Sequence, residues 1–264
     1  TLAERNNFYL SFAVAQKEPT RSDFTDRYKF AADDTYPSSE KLYDWELGYQ
    51  YTAPRLSLGV NLYYMKYKDQ LVPTGMVNDD SNALNTNVPD SYRRGVELSA
   101  SWRATGWFTV GANATFSQNR IENYVDALKD SPTYGKELGD MTIAYSPDVI
   151  ANAFLNFHHR GFEAVFHTQH VGKQYFTNNE NDALSLDAYC VTNLNLAYTF
   201  RTRSARSVRL GLLINNLFNA EYESNGYGYS YMDTWSGPAP VRIDEAYYFP
   251  QAPLNVLANV TVKF

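Results

Sequence analysis

A single cysteine, Cys190, stands among the 264 residues, so no intrachain disulfide can form and no oxidising compartment is demanded. Its ordinary role is that of a small hydrophobe, buried or facing lipid. Long apolar runs are also missing. None approaches the roughly 20 residues that a membrane helix needs, which excludes a helical membrane protein. No basic-then-apolar leader opens the sequence, and Thr1 runs straight into strand-like residues. The chain is therefore expected to be a piece of a longer protein. Cations are in the minority, 23 Lys and Arg against 29 Asp and Glu. That net charge of −6 argues against nucleic acid as a partner, because phosphate binding needs clustered basic residues.

Aromatic residues are plentiful instead. With 22 Tyr, 15 Phe and 4 Trp they make up 16% of the chain, enough to supply a girdle of rings at each of two membrane interfaces. The alternative is an aromatic-rich soluble β-sandwich.

Alternation decides between them. In the last stretch, L-N-V-L-A-N-V-T-V-K-F, positions Leu254, Val256, Ala258, Val260, Val262 and Phe264 are apolar on one parity. Asn255, Asn259, Thr261 and Lys263 are polar on the other. A strand repeats its side chains every two residues, so this is one apolar face and one mostly polar face. The same pattern recurs from Phe8 to Val14, Tyr43 to Tyr51, Leu56 to Tyr64, Val96 to Trp102 and Phe108 to Phe116. It recurs again from Ala151 to Phe157, Phe162 to Phe166, Thr192 to Phe200 and Val208 to Ile214.

About ten strands result, and their connections alternate between short and long. Short ones lie at Thr52–Pro54, Thr105–Gly106, His159–Gly161 and the basic turn of Arg201, Arg203 and Arg206. Long polar ones span 17–40, about twenty residues around Asp79 and Asp80, 121–148, 173–187 and 216–247. A sandwich has no reason to place every long loop at one end. An outer-membrane barrel does, with short turns at the periplasmic rim and long loops outside. The apolar parity is then expected to face lipid. The polar parity, with Glu46, Glu97, Asn113, Asn193 and Asn195, faces a wet or plugged lumen.

Ordered motifs carry a family resemblance. A-V-A-Q-K-E-P-T-R-S-D-F-T-D (Ala13 to Asp26) followed by S-S-E-K-L-Y-D-W-E-L-G-Y-Q-Y (Ser38 to Tyr51) resembles the strand–loop–strand of TonB-dependent outer-membrane receptors. Arg93-Arg94-Gly95-Val96-Glu97-Leu98 looks like a strand start of that family, and I-N-N-L-F-N-A-E-Y (Ile214 to Tyr222) like its N-L-F-N signature. The closing V-T-V-K-F is similar to its C-terminal aromatic strand. The resemblance implies an all-β, antiparallel, up-and-down transmembrane barrel of twenty-two strands. Residues 1–264 would be about the last ten, with the plug and the earlier strands absent.

It also implies TonB-energised uptake of a scarce nutrient, most readily an iron–siderophore or haem complex, with cobalamin next. Implied partners are the lipid of the outer membrane of a Gram-negative cell, the TonB complex through the plug, and the nutrient complex. The barrel-assembly machinery would recognise Val260, Val262 and Phe264. The alternative is a self-contained barrel of about ten strands, a passive pore or a hydrolase, whose last strand would close on Asn7–Gln16.

Little else in the sequence carries chemistry. His167 and His170 are three apart on an expected strand, so they point to opposite faces and cannot share a metal. His158 and His159 fall at a short turn. No serine pairs with a histidine on one strand face, so an enzyme is not supported. Asp23, Asp26, Asp33, Asp34, Asp79 and Asp80 lack the spacing of a calcium loop. No metal and no cofactor is expected. Arg21 could face an anionic ligand, or simply be solvated. Tyr227, Tyr229, Tyr231 and Trp235, with Tyr222 nearby, lie among Gly226, Gly228, Ser230 and Gly237 in the last outer loop. There the rings could hold a planar or amphipathic ligand, or form part of the outer girdle.

Overall fold

The computed structural model describes residues 4–30, 36–78 and 82–264, without the side chains of 26–30. Asp33, Asp34, Asp79 and Asp80, and the side chain of Asp26, lie outside what is described. The elements in chain order are β1 (Asn6–Lys17), α1 (Arg21–Phe30), β2 (Glu40–Thr52), β3 (Leu56–Val77) and β4 (Ala83–Arg103). Then follow β5 (Phe108–Ile121), β6 (Met141–Thr142), β7 (Val149–His159), β8 (Phe162–Val171), β9 (Gln174–Tyr175) and β10 (Ser185–Leu186). The chain ends with β11 (Tyr189–Phe200), β12 (Ser207–Asn215), β13 (Glu223–Asp233), β14 (Val241–Pro250) and β15 (Asn255–Lys263).

Ten long strands form one antiparallel sheet in the order β1-β2-β3-β4-β5-β7-β8-β11-β12-β15, so every long strand lies beside its neighbours in sequence. β1 and β15 are the two ends of this path, and a ring closed by pairing β15 with Asn7–Gln16 is not formed. The short connections are as the sequence places them. At one of them Arg160 and Gly161 both take positive φ (47° and 86°), the backbone that a tight two-residue hairpin requires.

Register shows why the sheet has two faces. Leu10, Leu47, Leu62, Val96 and Phe116 are successive cross-strand partners. Leu155, Phe166, Leu194, Ile214 and Val256 form a second such row. These rows are not covered: Leu10 is 78% exposed, and Leu47, Leu62, Phe116, Leu155 and Val256 are exposed with it. The opposite face carries rows such as Gln50, Gly59, Ser99, Asn113 and Asn152. A face this apolar is sustainable only against lipid.

Aromatics mark the limits of the apolar band. Phe12, Trp45, Tyr64 and Tyr92 make a chain of ring contacts at 5.1, 5.8 and 6.3 Å towards the long-loop end. Trp107, Phe108 and Phe157 cluster at the short-turn end, with centroids 4.5–6.1 Å apart. Tyr92 and Trp102 share a parity on β4 ten residues apart. That is about 33 Å along a strand, or about 25 Å of height at a tilt of about 40°, which matches the apolar band of an outer-membrane barrel.

The polar face is fitted across strands by aromatic–glycine pairs. Tyr9 lies opposite Gly48, Tyr63 opposite Gly95 and Phe154 opposite Gly111. Each ring covers its glycine so closely that a β-carbon would overlap it. These pairs close the pleat on the inner wall without a packed core.

Most of the buried apolar side chains lie at the long-loop end. Val72, Val88, Ile121, Tyr124 and Ile143 form one cluster, backed by Leu138 and Met141. Phe176, Leu184 and Leu186 form another. Three stretches that the sequence presents as loops contain regular elements among their described residues. Residues 17–40 contain α1, opened by Thr20, whose N–H donates to the Asp23 carboxylate at 2.7 Å as in one half of a capping box, and whose hydroxyl donates to the same oxygen at 2.7 Å. Before and after residues 79–81, β3 and β4 stay paired out to Val77 and Ala83. The last long loop contains the hairpin β13–β14.

Candidate functional site

The long-loop end is a folded cap, and hollows lie both in it and in the sheet wall beneath. One, of about 500 Å³, lies between the start of α1, residues 36–38, the outer ends of β3 and β4, and the 121–135 segment. Its polar wall includes Asp23, Ser38, Asn85 and Asn87. The Asn85 side chain donates to Asp23 Oδ1 (2.9 Å), and the Ser38 N–H donates to Asn87 Oδ1 (2.8 Å). These bonds dock the first outer segment on β4. Burial alone would raise the Asp23 carboxyl, but the hydrogen bonds from Asn85 and Thr20 outweigh it and hold the group below its usual value. Tyr124 lines the same hollow, and burial together with the nearby Asp126 pushes its phenol up to about 12.

The second hollow, of about 310 Å³, is sunk in the polar face of the sheet. Glu46, Asn61, Tyr63, Arg93, Glu97 and Tyr145 line it. Arg93 is turned to Ser146, donating to its Oγ at 2.9 Å, and Asn61 donates to Glu97 at 3.2 Å.

The hairpin β13–β14 has two distinct faces. Gly226 and Gly228 lie on the side against Phe176 and Leu184, where an added β-carbon would sit 2.7–2.9 Å from those side chains. The small residues are there so that the hairpin can lie flat on the 174–186 segment. Tyr248 touches Phe176 on this side (5.8 Å). Ser230, Arg242 and Asp244 also bond one another within the hairpin.

The other face presents Tyr227, Tyr229 and Tyr231 from β13, with Glu245, Tyr247 and Phe249 from β14. Tyr227 stacks on Tyr247 at 4.9 Å and touches Phe249 at 6.1 Å. Tyr229 and Tyr247 donate to Glu245 Oε2 at 2.6 and 2.8 Å, and Tyr231 donates to Oε1 at 3.3 Å. These phenols hold Glu245 below the usual carboxylate range, and the same bonds raise Tyr229 and Tyr247.

The candidates from the sequence are thus only partly assembled. Tyr227, Tyr229 and Tyr231 share one face, while Trp235 stands at the hairpin tip, 82% exposed. Arg21 is the exposed first residue of α1 and belongs to neither of these groups; its neighbours Ser22 and Asp23 line the larger hollow. Val260 and Val262 lie on the lipid-facing parity of β15, and Phe264 follows its last paired residue, 91% exposed. His167 and His170 fall on opposite faces of β8, paired with Asn193 and Cys190 on β11. Glu245 was not singled out by sequence. The alternation of N-G-Y-G-Y-S-Y marks the strand that carries its phenol partners, but nothing in V-R-I-D-E-A-Y-Y-F marks Glu245 itself.

An up-and-down antiparallel wall, apolar outside, polar inside and capped at one end, defines an outer-membrane β-barrel. Residues 2–217 match the family model described as "TonB dependent receptor-like, beta-barrel". The chain belongs to this family, whose members reside in the Gram-negative outer membrane.

Among solved structures, the fold is similar to the ferric yersiniabactin uptake receptor FyuA from Yersinia pestis, with TM-score 0.68 and 19% identity over 100% of this chain. It is similar to the copper transporter OprC, with TM-score 0.70 and 19% identity over 98% of this chain. The siderophore receptor PiuA from Acinetobacter baumannii gives TM-score 0.67 and 15% identity over 98% of this chain. This chain spans only 36%, 38% and 34% of those three proteins.

Proposed function

We propose that this chain is the C-terminal portion of a TonB-dependent receptor barrel, about the last ten of twenty-two strands. The intact protein takes a scarce nutrient from the cell exterior through the outer membrane, driven by TonB acting on a plug outside this chain. An iron–siderophore or haem complex is the favoured cargo, with cobalamin next. The observation that carries this reading is the family match over most of the chain, on a wall with one lipid face and one polar face. Neighbours named for ferric siderophores favour iron, although OprC is named for copper.

The cap is the side on which cargo would first land. Its aromatic hairpin face and Arg21 are proposed contacts, and the inner wall around Glu46 and Glu97 would face the plug. Val260, Val262 and Phe264 are proposed to be read by the barrel-assembly machinery.

The test is accumulation of labelled ferric siderophores, haem and cobalamin by cells expressing the intact receptor, with TonB present or deleted. TonB-dependent uptake of one cargo is expected. TonB-independent leakage of small solutes of all kinds would instead identify a passive pore.

A further inference from the structure

The exposed face of the β13–β14 hairpin combines two features. The first is a contiguous aromatic surface: Tyr229 contacts both Tyr231 and Tyr247 at 6.4 Å, and Tyr227 and Phe249 continue it. The second is a carboxylate at its centre with no counter-cation. Glu245 receives three phenol hydroxyls and forms no ion pair among the described residues. The nearest guanidinium on the hairpin, Arg242, is bound to Asp244 and Ser230 on the opposite face. Asp233 adds a second negative charge near Tyr231.

Ring faces are electron-rich, and a carboxylate held by neutral donors keeps its full charge. Both therefore attract positive charge and repel anions. From this geometry we infer that the hairpin face binds an organic cation, an ammonium or guanidinium group whose apolar flanks lie on Tyr227, Tyr229 and Tyr247 while its charge faces Glu245. Aromatic surfaces beside carboxylates recognise quaternary and alkylated ammonium groups in this way.

A phenolate-ligated metal is disfavoured, because the phenols would have to give up the protons they donate to Glu245 at 2.6–3.3 Å. The inference deepens the proposed ligand-binding role of the cap and rests on it. It adds that a cargo, or the carrier around it, presents a cationic group to this surface.

The test uses the full-length receptor in detergent micelles and three probes of one shape: choline, its neutral carbon isostere 3,3-dimethylbutan-1-ol, and the anion 3,3-dimethylbutanoate. Binding is followed by ligand-observed NMR. Choline is expected to bind about tenfold more tightly than the alcohol, and the anion not at all. Glu245→Gln should abolish that preference. Tyr229→Phe and Tyr247→Phe keep the rings and free the carboxylate, so they should preserve or increase it. Unchanged binding of the neutral alcohol by Glu245→Gln shows that the hairpin remains folded in that variant.

Equal binding of choline and the alcohol would overturn the inference, as would a preference that survives Glu245→Gln. Binding of ferric iron with a visible phenolate charge-transfer band, lost in Tyr229→Phe, would overturn it in favour of a metal site. Because the assay involves no transport, choline binding without TonB-dependent uptake would count against the proposed function alone. Uptake that ignores Glu245→Gln, with no choline preference, would count against the inference alone.

Discussion

Gly111 lies directly opposite Phe154 on the inner wall, and a β-carbon at Gly111 would fall 2.5 Å from the ring's Cζ. The ring covers the bare backbone of the neighbouring strand and takes the place of a side chain there. Gly111→Ala should therefore force Phe154 out of position and destabilise the barrel by about 1–3 kcal/mol. In the Phe154→Leu background the same glycine substitution should cost much less. Urea unfolding of the four proteins of this double-mutant cycle in micelles checks the coupling. Additive effects would mean that the two residues do not press on each other.

Facing determines the effect of charge. Leu62→Arg, in the middle of the apolar row, should cost about 2–4 kcal/mol, whereas Asn61→Arg, one residue away and turned inward, should cost little. Heat-modifiable electrophoretic mobility of outer-membrane preparations shows which variant still folds.

The strands were legible because alternation is a local property. Leu10, Leu47 and Leu62 announce their face before any partner is known. The cap was not, because its order depends on contacts between distant segments. Gly226 and Gly228 resemble loop residues until Phe176 and Leu184 are placed beneath them, and glycine lowers strand propensity taken alone. The helix α1 did carry a signal, the Thr20-to-Asp23 capping spacing, but Pro19 and the polar composition masked it. Glu245 gave no sign of its role, which depends on phenols fourteen and sixteen residues away on the paired strand.

The hairpin's seat follows from its glycines. Gly228→Val should lift β13 off Phe176 and Leu184 and speed hydrogen exchange in residues 223–250 without unfolding the membrane wall. Hydrogen-exchange mass spectrometry of the full receptor reads both regions at once. Unchanged exchange in the hairpin would mean that it does not rest on that cluster.

Acid should loosen the first outer segment. The folded-state pKa of Asp23 is depressed, so its contribution is present above the ordinary aspartate value of about 3.9 and is lost as pH falls through the lower folded value. Cleavage near Phe24 by an acid-active aspartic protease is expected to rise below about pH 4 in the native protein. The Asp23→Asn variant should be cleaved readily after the basic residues of 17–29 at neutral pH. Cleavage that is independent of both pH and residue 23 would rule out this anchor.

The C-terminal residues should matter for assembly rather than for ligand binding. Phe264→Ser is expected to lower the folded, heat-modifiable receptor in the outer membrane several-fold while leaving the binding of the assembled fraction unchanged. A normal yield would remove the proposed recognition role from Phe264.

The most direct measurement concerns the two faces of β4. With Cys190 and any further cysteine of the full-length receptor replaced by serine, single spin labels are placed at Val96, Glu97, Leu98, Ser99 and Ala100 in bilayers. Collision with oxygen dissolved in lipid is then compared with collision with a water-soluble nickel complex. A transmembrane wall requires a two-residue alternation, with labels at 96, 98 and 100 meeting oxygen and those at 97 and 99 shielded from it. Uniform access to the nickel complex, or the reverse phase, would contradict a barrel wall with this face in the membrane.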